Sequence, residues 1–354
     1  MEDKLIIGLM SGTSLDGLDI VCCRFQKKGN GWVYEIIETE TVSYDNVWAA
    51  KLKRAHTLDG YSLVQLDRDY GNYLGQLVSE FAEKYNLDIS LVGSHGHTIF
   101  HQPEKKLTFQ LGYGKALAYS SGIDTIADFR SDDVLKGGQG APFAPVGDYY
   151  LFSDYMFRIN LGGFSNISYE KDGKVVAYDI CPVNYILNTE ARKEGLSFDP
   201  DGSLARKGKA DQEFLKALNA LDYYHSKAPK SLGREWIESE WNPLAAQFQN
   251  DSKDNLATFV AHISDQIANS INEVSAPQQV LATGGGAWNA FLIEQIQKKT
   301  HHKIVVPDEL TVNYKEALIF AFMAFLRWKQ EDNVFATVTG AKSNSSAGTL
   351  YNGK

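Results

Sequence analysis

The run Gly8-Leu9-Met10-Ser11-Gly12-Thr13-Ser14-Leu15-Asp16-Gly17-Leu18-Asp19 carries more polar groups than a chain reversal requires. A plain hairpin manages with an Asn-Gly pair. Backbone N–H groups in a tight glycine turn form an anion-binding nest, and glycine lets a phosphate approach the main chain closely. Ser11, Thr13 and Ser14 add hydroxyl donors, and Asp16 and Asp19 are suited to hold a hydrated Mg²⁺. Two further clusters have the same character: Gly162-Gly163-Phe164-Ser165-Asn166 and Thr283-Gly284-Gly285-Gly286-Ala287-Trp288-Asn289. The first run lacks the Gly-Lys-Ser/Thr ending of a P-loop, and the last lacks the third glycine of the dinucleotide fingerprint. Each alone could be an ordinary turn. Together they favour the phosphates of a nucleotide, with Gly12, Thr13, Ser14, Asp16, Gly17, Gly162, Gly163, Asn166, Gly284, Gly285 and Gly286 as expected contacts.

Other residues could do different chemistry. His95, His97 and His101 form a His-x-His pair with a third histidine nearby, a donor set that could ligate zinc in a hydrolase. No Asp-His follows to complete a familiar hydrolase set. Asp179, following Tyr178 on a strand, would ordinarily be a turn residue or helix cap. Cys181 has no evident base beside it and reads as a small buried residue.

These groups need elements to position them. Leu5–Met10, Ile20–Phe25 and Val33–Val42 read as strands joined by glycine-bearing turns, followed by a helix marked by Leu63, Leu66, Tyr70, Tyr73, Leu77 and Phe81 and the strand Leu91–Ser94. The second half repeats this: strands at Phe157–Leu161, Ile167–Glu170 and Lys174–Tyr178, then helical patterns at Leu256–Val274, Trp288–Lys299 and Tyr314–Trp328 separated by strands at Gln279–Ala282 and Lys303–Val306. With no Pro- or Ser-rich linker between the halves, the reading is two packed α/β domains, residues 1–153 and 154–354, with a cleft between them.

The 354-residue chain has a net charge of −9, which disfavours nucleic acid or an anionic membrane as its main partner. Three cysteines, two of them adjacent, give no disulfide framework and fit a reducing compartment. No secretory signal or transmembrane run is apparent, so a cytoplasmic location is expected.

The Gly8–Asp19 run, with His95-Gly96-His97-Thr98, Asp128-Phe129-Arg130, Gly137-Gly138-Gln139-Gly140-Ala141-Pro142, Asn160-Leu161-Gly162-Gly163 and Thr283-Gly284-Gly285-Gly286, resembles the anhydro-N-acetylmuramic acid kinase family over nearly the whole chain. The resemblance implies a duplicated actin-like ATPase and sugar-kinase fold, ribonuclease H-like in each half, and a cytoplasmic homodimer active in cell-wall recycling. The implied reaction opens 1,6-anhydro-N-acetylmuramic acid with water and transfers phosphate from ATP, with Mg²⁺, to its 6-oxygen, giving N-acetylmuramic acid 6-phosphate. The resemblance makes Asp179 the catalytic base, in Asp-Ile-Cys-Pro-Val-Asn where the family has Asp-Thr-Gly-Pro-Gly-Asn, and assigns Thr98, Arg130 and Glu316 to the sugar. Ile180, Cys181 and Val183 depart from that pattern. So do His97, Tyr113 and Asp148, which stand where the family usually has Gln, Asp and His. An Arg guanidinium suits the lactyl carboxylate because it can bond both oxygens, the bland alternative being a surface salt bridge. For Glu316 the alternative is charge matching at a helix N-terminus. Rival functions are a levoglucosan-type anhydro-sugar kinase, an actin-like nucleotide switch and the His-ligated metal hydrolase.

Overall fold

The computed structural model describes residues 4–12, 15, 17–29, 31–228 and 230–353. Its strands are β1 (Leu5–Ser11), β2 (Gly17–Lys28), β3 (Gly31–Ser43), β4 (Ile89–Ser94), β5 (His97–Gln102), β6 (Leu107–Leu111), β7 (Thr125–Ala127), β8 (Phe157–Leu161), β9 (Phe164–Lys171), β10 (Lys174–Pro182), β11 (Gln279–Thr283), β12 (Lys303–Val305) and β13 (Thr349–Tyr351). Two compact units result, Met1–Leu151 with Tyr314–Lys354, and Phe152–Asn313.

The first sheet has the order β13-β7-β4-β1-β2-β3 and the second β10-β9-β8-β11-β12. In each, the first three strands of the unit form an antiparallel meander, and the next two add in parallel on the other side of the first strand. Both units therefore share one ribonuclease H-like topology, and the fold is the duplicated actin-like ATPase and sugar-kinase fold. The strand interiors explain the layering. Ile7, Leu9, Leu18, Ile20 and Cys22 are buried against Leu66, Tyr70, Leu74, Val78 and Phe81 of the helix Gly60–Tyr85, which Asp59 caps by accepting from Ser62 N–H at 3.0 Å. In the second unit Ile159, Leu161, Ile167 and Ile180 pack with Leu256, Phe259, Val260, Ile263 and Ile267 of the helix Ser252–Ile271.

Residues 314–354 group with the first unit, whereas the sequence reading placed them in the second domain. The cause is close packing that only glycine permits. A Cβ on Gly8 of β1 would lie 1.9 Å from the Ala317 carbonyl oxygen, and one on Gly93 of β4 would lie 2.4 Å from that of Phe320, so the helix Glu309–Trp328 seats its backbone directly on the sheet. The chain then returns as β13, pairing antiparallel with β7.

Candidate active site

The polar residues gather at one end of each sheet, where the parallel strands finish. In the first unit these ends are Ser11 on β1, Ser94-His95 after β4 and Asp128-Phe129-Arg130 after β7. In the second they are Gly162-Gly163 after β8, Asp179 to Pro182 on β10 and Gly284-Gly285-Gly286 after β11. Such strand ends are where open α/β sheets bind ligands.

In the first unit a cation is held ready. Arg130 donates from Nε at 3.0 Å and Nη2 at 2.7 Å to His95 Nε2, and from Nη1 to the Gly140 carbonyl. His95 Nδ1 faces the Gly96 carbonyl at 2.9 Å and so carries the ring proton, which leaves Nε2 as the acceptor. Burial first, and then the Arg130 charge, hold His95 well below the usual histidine range, so it stays neutral. Burial likewise pulls Arg130 down to about 10, still charged at neutral pH. A guanidinium has five N–H donors, and three contacts use Nε, Nη1 and Nη2 once each, so two remain for a ligand. Among the described residues no carboxylate forms an ion pair with Arg130, which removes the surface salt bridge as its explanation.

The Gly-Gly-Gln-Gly-Ala-Pro block supports this arrangement. Fully buried Asp133 accepts from Gly140 N–H at 2.7 Å and from Thr339 Oγ1 at 2.7 Å. Gly137 and Gly140 adopt φ of 86° and 65°, and a Cβ on Gly138 would fall 2.2 Å from the Asp133 carboxylate. The turn thus aims the Gly140 carbonyl at Arg130, and Phe143 lies 5.1 Å beneath the guanidinium.

Glu316 has an exposed side chain. Surrounding protein raises its carboxyl, while Arg130 and then Lys315 pull it back. Lys315 itself forms a buried pair with Asp148 at 2.6 Å. Thr98 lies on the β5–β6 ribbon, where Gln110 Nε2 donates to it at 3.5 Å. Among the described residues no hydrogen bond joins Thr98 to Arg130.

The opening glycine run is only partly described: Thr13, Ser14 and Asp16 lie outside the described residues. Ser11, expected as a phosphate donor, is committed elsewhere. Tyr44 donates its hydroxyl to Ser11 Oγ at 2.7 Å, so Tyr70 donates to Tyr44 at 2.6 Å, and Ser11 Oγ shares a further hydrogen bond with His97 Nδ1 at 2.9 Å. With His95 engaged through both nitrogens and His97 and His101 each bonded through Nδ1, the three histidines do not converge on one point. Among the described residues no three His, Cys, Asp or Glu side chains group as a metal set. Asp19 of the expected Mg²⁺ pair accepts from Thr41 Oγ1 at 2.7 Å and is half-buried at the start of β2. A Mg²⁺ carried on phosphates needs only one or two protein carboxylates, a requirement Asp19 fits.

In the second unit the register places Asn160 opposite Asn166, and Asn166 opposite Asp179, across β8, β9 and β10. Gly162 and Gly163 turn there, and their carbonyls accept from Asn184 N–H at 3.1 Å and Val183 N–H at 2.9 Å at the start of the helix Asn184–Lys193. A Cβ on Gly163 would meet nothing within 4 Å, so its outer face is open. Gly284 differs: its φ is 80° and a Cβ would strike Asn160 Oδ1 at 2.4 Å. Beside Gly285 a recess of about 480 Å³ is lined by Asn184, Leu187, Phe198, Asp199, Trp288 and Asn289, with Phe198 and Trp288 exposed as aromatic walls.

Asp179 is half-buried, and burial raises its carboxyl above the usual range against the lowering effect of Leu232 N–H, which donates to Oδ2 at 2.9 Å. Cys181 is fully buried with its thiol pushed up to about 12, so it is no nucleophile. Ile180 and Val183 are core residues here, the strand continuing through Pro182 past its expected end at Tyr178.

The model of the family "Anhydro-N-acetylmuramic acid kinase" matches residues 4–353. The chain belongs to that family. Relatives bearing the same family name include one from Hydrogenovibrio crunogenus, 32% identical and covering 98% of both chains, and one from Aliivibrio fischeri, 34% identical with the same coverage. Among solved structures, the Acidaminococcus fermentans (R)-2-hydroxyglutaryl-CoA dehydratase component A aligns over 91% of this chain and 98% of its own at 13% identity and a TM-score of 0.47. This member of the anhydro-N-acetylmuramic acid kinase family is therefore an enzyme, a kinase. No helix among its described residues is long and apolar enough to cross a membrane.

Proposed function

We infer that the chain opens 1,6-anhydro-N-acetylmuramic acid with water and phosphorylates its 6-oxygen from ATP, with Asp179 as general base. The observation that carries the assignment of Asp179 is its register opposite Asn166, at the strand end that also carries Gly163 with its open outer face, together with the burial that raises its carboxyl. A general base works best with its pKa near the operating pH, and burial moves Asp179 in that direction. Asp179 takes a proton from the water that attacks the anomeric carbon. As the C1–O6 bond breaks, O6 becomes the acceptor for the γ-phosphoryl group. Arg130 holds the lactyl carboxylate with its two remaining N–H donors, while Thr98 and Glu316 bond other polar groups of the sugar.

For the nucleotide, the proposed contacts are Gly12 and Gly17 in the first unit and Gly162, Gly163, Asn166, Gly284, Gly285 and Gly286 in the second, with adenosine in the second unit's recess walled by Phe198 and Trp288. Thr13, Ser14 and Asp16 belong to the same phosphate set. Asp19 and Asp16 would hold Mg²⁺, which would supply charge neutralisation at the transferred phosphoryl group. The enzyme works in the cytoplasm as a homodimer, a location that its three buried free cysteines fit.

The test is ADP release with anhydro-N-acetylmuramic acid, its lactyl-free analogue and levoglucosan. Release should be fastest with the first. Preference for levoglucosan would replace the proposed substrate, and sugar-independent turnover would favour a nucleotide switch.

A further inference from the structure

The mechanism above uses Asp179 but not what holds it. β10 is the edge strand of its sheet, so Asp179 needs partners from outside the ladder. They come from the stretch between Tyr223 and Leu232, of which Pro229 lies outside the described residues. The Tyr223 hydroxyl donates to the Asp179 carbonyl at 2.6 Å, Asp179 N–H donates to the Lys230 carbonyl at 3.2 Å, and Leu232 N–H donates to Asp179 Oδ2. The stretch is fastened in turn. Lys230 Nζ lies 4.6 Å over the Tyr223 ring and 5.7 Å over that of Tyr178, and donates to the Tyr223 carbonyl at 3.1 Å. Next to it, the Tyr224 hydroxyl meets Nε2 of fully buried His262 at 3.0 Å.

We propose that Tyr223, Lys230 and the Leu232 peptide form a positioning clamp that occupies Asp179 Oδ2 and thereby presents Oδ1 to the reacting water. This rests on the reading of Asp179 as the base. A carboxylate whose two oxygens are both unrestrained rotates about its terminal bond, whereas one anchored oxygen fixes the direction of the other. The alternative is that the stretch merely covers a sheet edge. The two differ in titration, because a bond from Leu232 N–H favours the charged carboxylate and its loss should raise the pKa of the base. Of the titratable groups around Asp179, Tyr223 of the clamp couples to it directly, Lys230 lies over the Tyr223 and Tyr178 rings, and Cys181 is turned into the core, while Asn166 on β9 is uncharged.

The experiment is a pH profile of kcat for Leu232→Pro, which removes the N–H, and for Tyr223→Phe, with Lys230→Met and Lys230→Arg as a rescue pair. In Leu232→Pro the acid limb should move to higher pH. In Leu232→Pro and Tyr223→Phe kcat should fall about tenfold with KM for ATP and sugar within about twofold, a modest part of what misorientation can cost. Lys230→Arg should recover most of what Lys230→Met loses. Folded Leu232→Pro and Tyr223→Phe enzymes with wild-type kcat and an unmoved acid limb would overturn the clamp. If Leu232→Pro does not fold, Tyr223→Phe and the Lys230 pair decide by the split of kcat from KM. Asp179→Asn run alongside separates the two readings: near-normal activity there rejects the base itself, whereas an inactive Asp179→Asn with unaffected clamp variants rejects only the clamp.

Discussion

The two sheets share one strand order but equip the same end differently. At the first unit's sheet end, polar side chains are turned on one another: Ser11 is spent on His97, His95 on Arg130, and Asp133 on the loop that aims Gly140. At the second, Gly163 presents an open outer face, and Asp179 lies opposite Asn166 at the same strand end. One end thus fixes a guanidinium among neutral partners, and the other leaves a glycine face open on the strand end that carries a carboxyl raised by burial. Topology alone distinguishes neither, since it is common to both.

The largest expected effect is at Asp179. Asp179→Asn keeps shape but removes the base, so sugar-dependent ADP release should fall by roughly 10²–10⁴-fold while ATP still binds. In the wild type, the acid limb of kcat should lie above the ordinary carboxylate range, because burial raises Asp179. At the other sheet, Arg130→Lys keeps charge but loses the planar fork, and should weaken use of the lactyl-bearing sugar by about tenfold or more relative to the lactyl-free analogue. Equal losses on both sugars would remove Arg130 from the carboxylate.

The glycines sharpen the contrast within the second unit. Gly163→Val should raise KM for ATP with little change in Tm, because a Cβ there has no protein atom within 4 Å. Gly284→Ala should instead lower stability, by at least about 1–2 kcal/mol, since its backbone is left-handed and Asn160 is in the way. A loss of stability at Gly163 and none at Gly284 would reverse the assignment. The smallest effect concerns the cost of the base. A carboxyl whose pKa is raised on folding favours the fold only at low pH and opposes it as pH rises through the folded value. Asp179→Asn should therefore raise Tm more at pH 8 than at pH 4.

Much of this was legible locally. The repeated strand-turn-strand order and the glycine clusters are short-range signals, and Phe157–Leu161 has the bounds that its apolar run predicts. The rest depends on contacts far apart in sequence. Gly8 and Gly93 look like any strand glycine until a helix more than two hundred residues later rests on them. Ser11 reads as a phosphate donor because its partner His97 is 86 residues away. The β5–β6 ribbon does not stand out in the sequence, its alternation being weak. Asp179 was named through resemblance, while its clamp carried no sequence signal: Leu232 acts through its peptide, 53 residues on, and any non-proline residue offers the same N–H.

The most direct test of the account is turnover in ¹⁸O water with prompt quenching. If Asp179 activates water at the anomeric carbon and O6 then takes the phosphoryl group, the product carries label at its C1 hydroxyl after correction for spontaneous exchange, none in the phosphate, and one ADP appears per sugar opened. Label in the phosphate would mean that water attacks ATP instead, and would contradict the coupling of ring opening to phosphorylation.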